Sequence, residues 1–258
     1  LDLDDLRQKI DGKTVLVSIM YANNEIGTIQ PIREITKLIA DIRRQRGPGA
    51  LPLYLHTDAC QAANYLDLHV ARLGVDMMTI NGGKIYGPKQ SGALYVKAGI
   101  MLKPLVNGGG QERGLRSGTE NVASIIGLVA ALDLAQSGRR QEAERLRILQ
   151  DNFFDLIENQ IPAAQINGSR KYRLPNNVHL TLPGQDNERL LIRLDEAGIM
   201  AAAGSACSAS SQESSHVLHA LGLSDAEARA SLRFTMGRQT DIAAIQTTVK
   251  VLAQLSHA

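Results

Sequence analysis

"LPLYLHTDACQAANYLDLHVARLGVDMMTINGGK", residues 51–84, reads as a strand, a turn, a short helix and a second strand. "LPLYLHTD" (51–58) and "VDMMTI" (75–80) are short apolar runs of strand length, and "LHVARLG" (68–74) fits a short helix ending at Gly74. In an open parallel sheet, ligands sit beyond the carboxyl ends of the strands. Asp58 closes the first strand and Lys84 lies just past the second. If the two strands are neighbours, a carboxylate and an amine face one crevice.

The pattern continues on both sides. "TVLVSIM" (14–20) reads as a buried strand, and Pro31 opens a helix in "PIREITKLIADIRRQ" (31–45), broken by "GPGA". "SGALYVK" (91–97) is a fourth strand. Strands alternating with helices predict a largely parallel sheet. From about Thr119 a long helix is expected, with a Ser-Gly break at 137–138 and a second, charged helix after it. "NNVHLTL" (176–182), "IMAAAG" (199–204) and "SLRFTMG" (231–237) read as strands of a second sheet. Between them lie the helices "NERLLIRLDEAG" (187–198), "SSHVLHALG" (214–222) and "DIAAIQTTVKVLAQL" (241–255). The expected division is a larger unit at 1–138 and a smaller one at 139–258.

Composition narrows the function classes. The 258 residues, 44% hydrophobic, suffice for one large core or two modest ones. A net charge of +2, from 28 basic and 26 acidic residues, makes no electrostatic case for nucleic acid or an anionic membrane. No apolar run is read as long enough to span a bilayer. Two distant cysteines, Cys60 and Cys207, argue against a disulfide framework or structural metal and for a reducing, cytoplasmic setting. No Walker or GxGxxG motif supports a nucleotide. The chain starts without Met and is expected to be a piece of a longer protein.

Three constellations carry chemistry. A pyridoxal phosphate site needs a lysine for the Schiff base and an aspartate to keep the ring nitrogen protonated, and Lys84 and Asp58 supply that pair. Singly, each has an ordinary reading: a turn or cap aspartate, and a solvated lysine. "NGGGQERGLRSGTENV" (107–122) offers Arg113, Arg116, Ser117 and Thr119 just ahead of a helix. It reads equally as a phosphate cradle or as a surface loop with Thr119 as N-cap. In "AAAGSACSASSQESS" (201–215), Cys207 lies among Gly, Ala and Ser. Either it sits on an exposed loop where a thiolate can attack, or it is a small thiol packed in an alanine-rich strand. Cys60 reads as a filler residue under the site.

Together these stretches resemble a known family. "NNEIG" (23–27), "HTDACQA" (56–62), "GGKIYGPKQSGALYV" (82–96), "GGGQERGLRSGTENV" (108–122), "GSACSAS" (204–210) and "SLRFTMGR" (231–238) look like the group I cysteine desulfurases, in order and along essentially the whole chain. The resemblance implies an α/β protein with the PLP-dependent transferase (aminotransferase type I) fold. Its mainly parallel large domain would be followed by a smaller α+β C-terminal domain.

It also implies residue roles. Lys84 matches the Schiff-base lysine and Cys207 the nucleophile. Asp58 matches the pyridinium partner, Gln61 the residue on the ring hydroxyl, and Asn24 another contact at the ring and substrate. Asn81 and Gly83 fall in the phosphate-side loop. Thr119 matches a residue reaching the cofactor phosphate of a neighbouring subunit, which implies a homodimer. Arg233 matches the clamp on the substrate carboxylate. No metal is implied.

The implied reaction converts L-cysteine to alanine and leaves a persulfide on Cys207 for an acceptor protein of iron–sulfur assembly or thiolation. A selenocysteine lyase-like relative, a cysteine sulfinate enzyme and a non-catalytic scaffold are the alternatives. Two departures stand out. Gly83 occupies a position where the family has histidine. The resemblance also implies a preceding segment, with a phosphate loop and a ring-stacking histidine, which the 258 residues do not include.

Overall fold

In the computed structural model, residues 1–204 and 214–256 are described. They form two compact units: Leu1–Tyr21 with Gln30–Arg139, and Ala22–Ile29 with Arg140–Ala258.

The first unit opens with helix α1, Leu3–Lys9, a stretch to which the sequence reading assigned no element. Asp2 caps it by accepting the Asp4 and Asp5 N–H groups, and Asp4 and Asp5 add negative charge to its first turn. Strand β1 is Leu16–Met20, and helix α2, Ile32–Arg46, follows Pro31. Ile32, Ile35, Leu38, Ile39 and Ile42 form the buried stripe of α2. Then come β2 (Tyr54–Asp58), α3 (Val70–Leu73), β3 (Met77–Asn81) and β4 (Gly92–Val96). Gly74 closes α3 at φ 72°, a left-handed turn that favours glycine.

The strand order is β1-β2-β3-β4. β1, β2 and β3 run parallel, and β4 is antiparallel to β3. The reversal follows from the connection. Residues 82–91 contain no crossover helix, and a parallel return needs a dozen or more residues. β1 is not the buried strand expected: only Val17 is buried, and Leu16 remains 48% exposed.

Helix α4 runs unbroken from Val122 to Gln160, so the break expected at 137–138 does not occur. Ser137 donates its hydroxyl to the Leu134 carbonyl within the helix, and Gly138 lies in open space. A glycine costs about 1 kcal/mol there, too little to break a helix continued by good formers on both sides. By length and composition α4 is apolar enough to cross a membrane, with 11% of its most apolar window buried. The sequence reading missed this length because it ended the helix at 136. On its inner side, Leu128, Ala131 and Ala135 are buried.

In the second unit, β5 (Gln165–Ile166), β6 (Asn177–Thr181) and β7 (Ser231–Thr235) make an antiparallel sheet in that order. Helices α5 (Asn187–Glu196), α6 (His216–Ala220), α7 (Asp225–Arg229) and α8 (Ile242–Ser256) complete it. The β6 side chains alternate between faces. Val178 and Leu180 go to one face, and Asn177, His179 and Thr181 to the other, and all five are buried. Apolar packing comes from Leu146, Phe153, Ile157, Leu232, Phe234 and Val249, with the Phe153 and Phe234 rings 5.5 Å apart.

Two expectations change here. The segment Ala22–Ile29 groups with the second unit, although its sequence lies within 1–138. Asn177 donates to the Glu25 carbonyl at 2.7 Å, and the Leu174 N–H reaches the Gly27 carbonyl at 2.8 Å. Residues 199–204 form no strand, only an isolated bridge between Ala202 and Arg233.

Candidate active site

In the first unit, Asp58 ends β2 and pairs in register with Met20 on β1 and Thr79 on β3. Its Oδ1 accepts the Cys60 N–H at 2.9 Å. The Ala59 N–H bonds the Thr79 carbonyl at 2.9 Å, which fixes where the chain leaves the strand. Cys60 reports on the surroundings. Its thiol is pushed up to about 12, first by burial, then by the hydrogen bond and charge of Asp58, while the charge of Lys84 works in the opposite direction.

Lys84 ends a 3-10 turn, Gly82–Lys84, directly after β3. Its carbonyl accepts from the Asn64 amide at 2.7 Å, and its side chain is exposed. Gly82 cannot be anything larger: a Cβ there would overlap the Ser91 hydroxyl and lie 3.0 Å from the Pro88 carbonyl oxygen. Gly127 lets α4 press on the same loop, since a Cβ at 127 would come within 2.5 Å of Pro88. Gln136, also on α4, donates to the Ala63 and Leu66 carbonyls at 2.6 and 3.0 Å, holding the turn that follows Asp58. Gly83 differs. A Cβ there would meet nothing closer than Asn81 Oδ1 at 3.2 Å, so the position has room for a side chain. Gln61 is half-buried in the turn after Asp58, and Asn81 is exposed at the end of β3.

Among the described residues, the non-glycine residues with positive φ are Tyr86, Gln90, Glu112 and Arg113. They fall in the Lys84 loop and the 107–122 loop. Left-handed backbone at a side-chain-bearing residue costs on the order of 1–3 kcal/mol and persists where the surroundings impose it, often at functional sites. In the 107–122 loop, Ser117 is buried and its hydroxyl accepts the Gly110 N–H at 3.4 Å. Thr119 is exposed and is not the N-cap; Asn121 is, accepting the Ser124 N–H at 3.1 Å.

In the second unit, Arg233 Nη1 donates to the Asn24 carbonyl at 2.9 Å, bringing two expected site residues together. The Arg233 main chain pairs with Ala202 in both directions, at 2.7 and 3.0 Å. Cys207 lies outside the described residues. At the far side of that segment, the Ser215 hydroxyl donates to Glu25 Oε2 at 2.5 Å. Among the described residues no cluster could hold a metal ion.

The sequence reading missed His56 and His179. His56 bridges Ser18 and Thr79 at 2.8 Å each, on the strand face that carries Asp58. The period-2 spacing of 56 and 58 in "YLHTD" is the signal that could have found it. For His179 the only sequence signal was a polar residue within an apolar strand run.

The family described as Aminotransferase class-V matches residues 1–246. The chain is 42% identical over 255 residues to the cysteine desulfurase IscS of Dictyoglomus turgidum, covering 99% of this chain and 62% of that protein. It is 42% identical over 252 residues to the cysteine desulfurase IscS 1 of Archaeoglobus fulgidus, covering 98% and 63%. Among solved structures, a NifS-like protein from Rickettsia africae superposes with a TM-score of 0.88 at 29% identity, covering 100% of this chain and 67% of that one. SspA in complex with cysteine gives 0.72 at 33% identity, covering 92% and 62%. The chain thus spans about 62% of the length of the first of these relatives.

Proposed function

Because the chain belongs to the class-V aminotransferase family, we propose that it carries the lysine, aspartate and nucleophile of a pyridoxal-phosphate-dependent cysteine desulfurase. The observation that carries the reading is that Asp58 ends β2 and Lys84 lies in the turn directly after β3, the adjacent parallel strand, so both stand at the carboxyl ends of neighbouring strands. A carboxylate and an amine at the ends of adjacent strands are the donor set that pyridoxal phosphate requires. When bound, the cofactor supplies an electron sink for negative charge at the substrate Cα.

The chain's own residues then divide the work. Asp58 holds the proton at the ring nitrogen. Gln61 and Asn24 would be the residues at the ring. Asn81 and the Gly83 N–H would serve the cofactor phosphate, and Thr119 that of a second copy. Lys84 anchors the cofactor and moves the proton at Cα of L-cysteine. Arg233 takes the substrate carboxylate, a bidentate task that suits guanidinium. Cys207 attacks the substrate sulfur, leaving L-alanine and a persulfide for an acceptor protein.

The working unit is a homodimer in the cytoplasm. Val122, Ile126 and Val129, at i, i+4 and i+7 on α4, are 64, 63 and 58% exposed and form one apolar stripe. A second copy covers it at lower cost than water, and the same stripe accounts for the membrane-like composition of α4.

The test uses full-length protein supplied with pyridoxal phosphate. It should become yellow and release alanine from L-cysteine, and Cys207→Ala should abolish sulfur transfer. Retained transfer in Cys207→Ala would discard the assigned nucleophile. A colourless protein that still binds a sulfur acceptor would favour a scaffold.

A further inference from the structure

Arg233 and His179 are direct partners across β6 and β7. Both main-chain groups of Arg233 bond to Ala202, on the side away from β6. The His179 carbonyl likewise accepts from the Asn167 N–H, away from β7. The two residues are therefore a non-hydrogen-bonded antiparallel pair, the type whose Cα atoms lie about 4.5 Å apart and whose side chains come closest.

A buried chain of hydrogen bonds sets the state of the imidazole. Ser231 has one hydroxyl proton and gives it to the Glu227 carbonyl at 2.7 Å. The Thr181–Ser231 contact at 2.7 Å must then use the Thr181 proton. Thr181 Oγ1 in turn accepts from Asn167 Nδ2 at 2.8 Å, so that end of Asn167 is the NH2 group. The same nitrogen lies 2.9 Å from His179 Nδ1 and faces it as a donor. Nδ1 accepts, so the proton of the neutral ring is on Nε2. Protonating Nδ1 would set N–H against N–H.

Asn167, His179, Thr181 and Ser231 are all buried, His179 fully. His179 Nε2 has no hydrogen-bond partner among the described residues. Its proton affinity is lowered to about 3, first by burial and then by the charges of Arg173 and Arg233. Arg173 is itself fully buried, its Nε donating to the Ser169 carbonyl at 2.9 Å and its Nη1 to Asn177 Oδ1 at 3.0 Å.

We infer that His179 is a positioning residue for Arg233: a neutral imidazole, locked in its Nε2–H tautomer, that braces the guanidinium without adding a charge beside it. A side chain at 179 that cannot accept from Asn167 would lose its fixed position and leave Arg233 unbraced on that side, and a cation there would repel it. This inference rests on the reading of Arg233 as the substrate-carboxylate clamp.

Three measurements on the full-length holoenzyme test it. In side-chain nitrogen NMR, the His179 ring should stay in the neutral Nε2–H form wherever the protein is folded, and the Arg233 guanidinium should give resolved, exchange-protected signals. His179→Phe, which keeps a ring but removes the acceptor for Asn167, should broaden or average those Arg233 signals. In steady-state kinetics, His179→Gln should keep KM for L-cysteine within about threefold, whereas His179→Lys should raise it about tenfold or more with kcat little changed. An imidazolium, the other tautomer, or unaltered Arg233 signals in His179→Phe would overturn the inference; so would equal KM values for folded Gln and Lys variants. If the wild-type enzyme does not consume L-cysteine, the clamp reading fails, and the NMR arm still decides the role of His179.

Discussion

Arg233 Nη1 reaches the main-chain carbonyl of Asn24 at 2.9 Å, across 209 positions of sequence. Asn24 sits in the eight-residue excursion 22–29, which groups with the second unit. Two residues that sequence reasoning assigned separately to substrate contacts are thus one hydrogen-bonded element. Replacing Arg233 by Lys removes both the planar fork and the geometry of that bond. The variant should lose on the order of 10- to 100-fold in kcat/KM for L-cysteine, mainly through KM. Steady-state kinetics checks this, and a near-wild-type KM would reject the clamp.

Asp58 raises the Cys60 thiol through a hydrogen bond and its charge, second only to burial. Removing the negative charge lowers the proton affinity, so more thiolate forms at a given pH. In a Cys207→Ala background, Asp58→Asn should shift the pH profile of Cys60 alkylation downward by roughly one unit or more. Mass spectrometry of the alkylated peptide reads the profile.

The two glycines before Lys84 should respond oppositely to substitution. Gly82→Ala forces a methyl group onto the Ser91 hydroxyl in a buried turn and should cost about 2 kcal/mol or more. Gly83→His meets only Asn81 Oδ1, which can move, and should leave the melting temperature nearly unchanged while slowing loss of pyridoxal phosphate on dialysis. Unchanged retention would mean that other groups already hold the phosphate.

The buried His179 gives stability a pH dependence of known sign. Its proton affinity falls from 6.5 to about 3 on folding, so the unfolded chain binds the proton more readily. The contribution is fully present above 6.5 and is lost as the pH falls from there towards 3. At about 1.4 kcal/mol per unit, the loss has an upper bound of roughly 5 kcal/mol. Denaturant midpoints at neutral and mildly acidic pH should differ less in His179→Gln than in wild type. Equal acid sensitivity would show that other groups dominate that limb.

On the proposed homodimer reading, the apolar stripe of α4 is the interface between the two copies. Ile126→Glu or Val129→Glu should turn a dimer into a folded monomer in size-exclusion chromatography with light scattering, since a charge buried in an apolar interface lacks a partner. A dimer that survives both substitutions would place the interface elsewhere.

Sequence alone determined the local features of this protein. The apolar runs at 54–58 and 77–81, the stripe of α2 and the left-handed stop at Gly74 follow from periodicity and backbone preference, which act over a few residues. The placement of Asp58 and Lys84 at the strand ends was legible for the same reason. Tertiary structure decided the rest. The reversal of β4, the continuity of α4 through Gly138 and the reduction of 199–204 to one bridge each depend on a partner element. The joining of 22–29 to the second unit and the tautomer of His179 depend on hydrogen bonds between groups far apart in sequence. Periodicity carries no record of such pairings, because each is settled only when a buried polar group must find its partner.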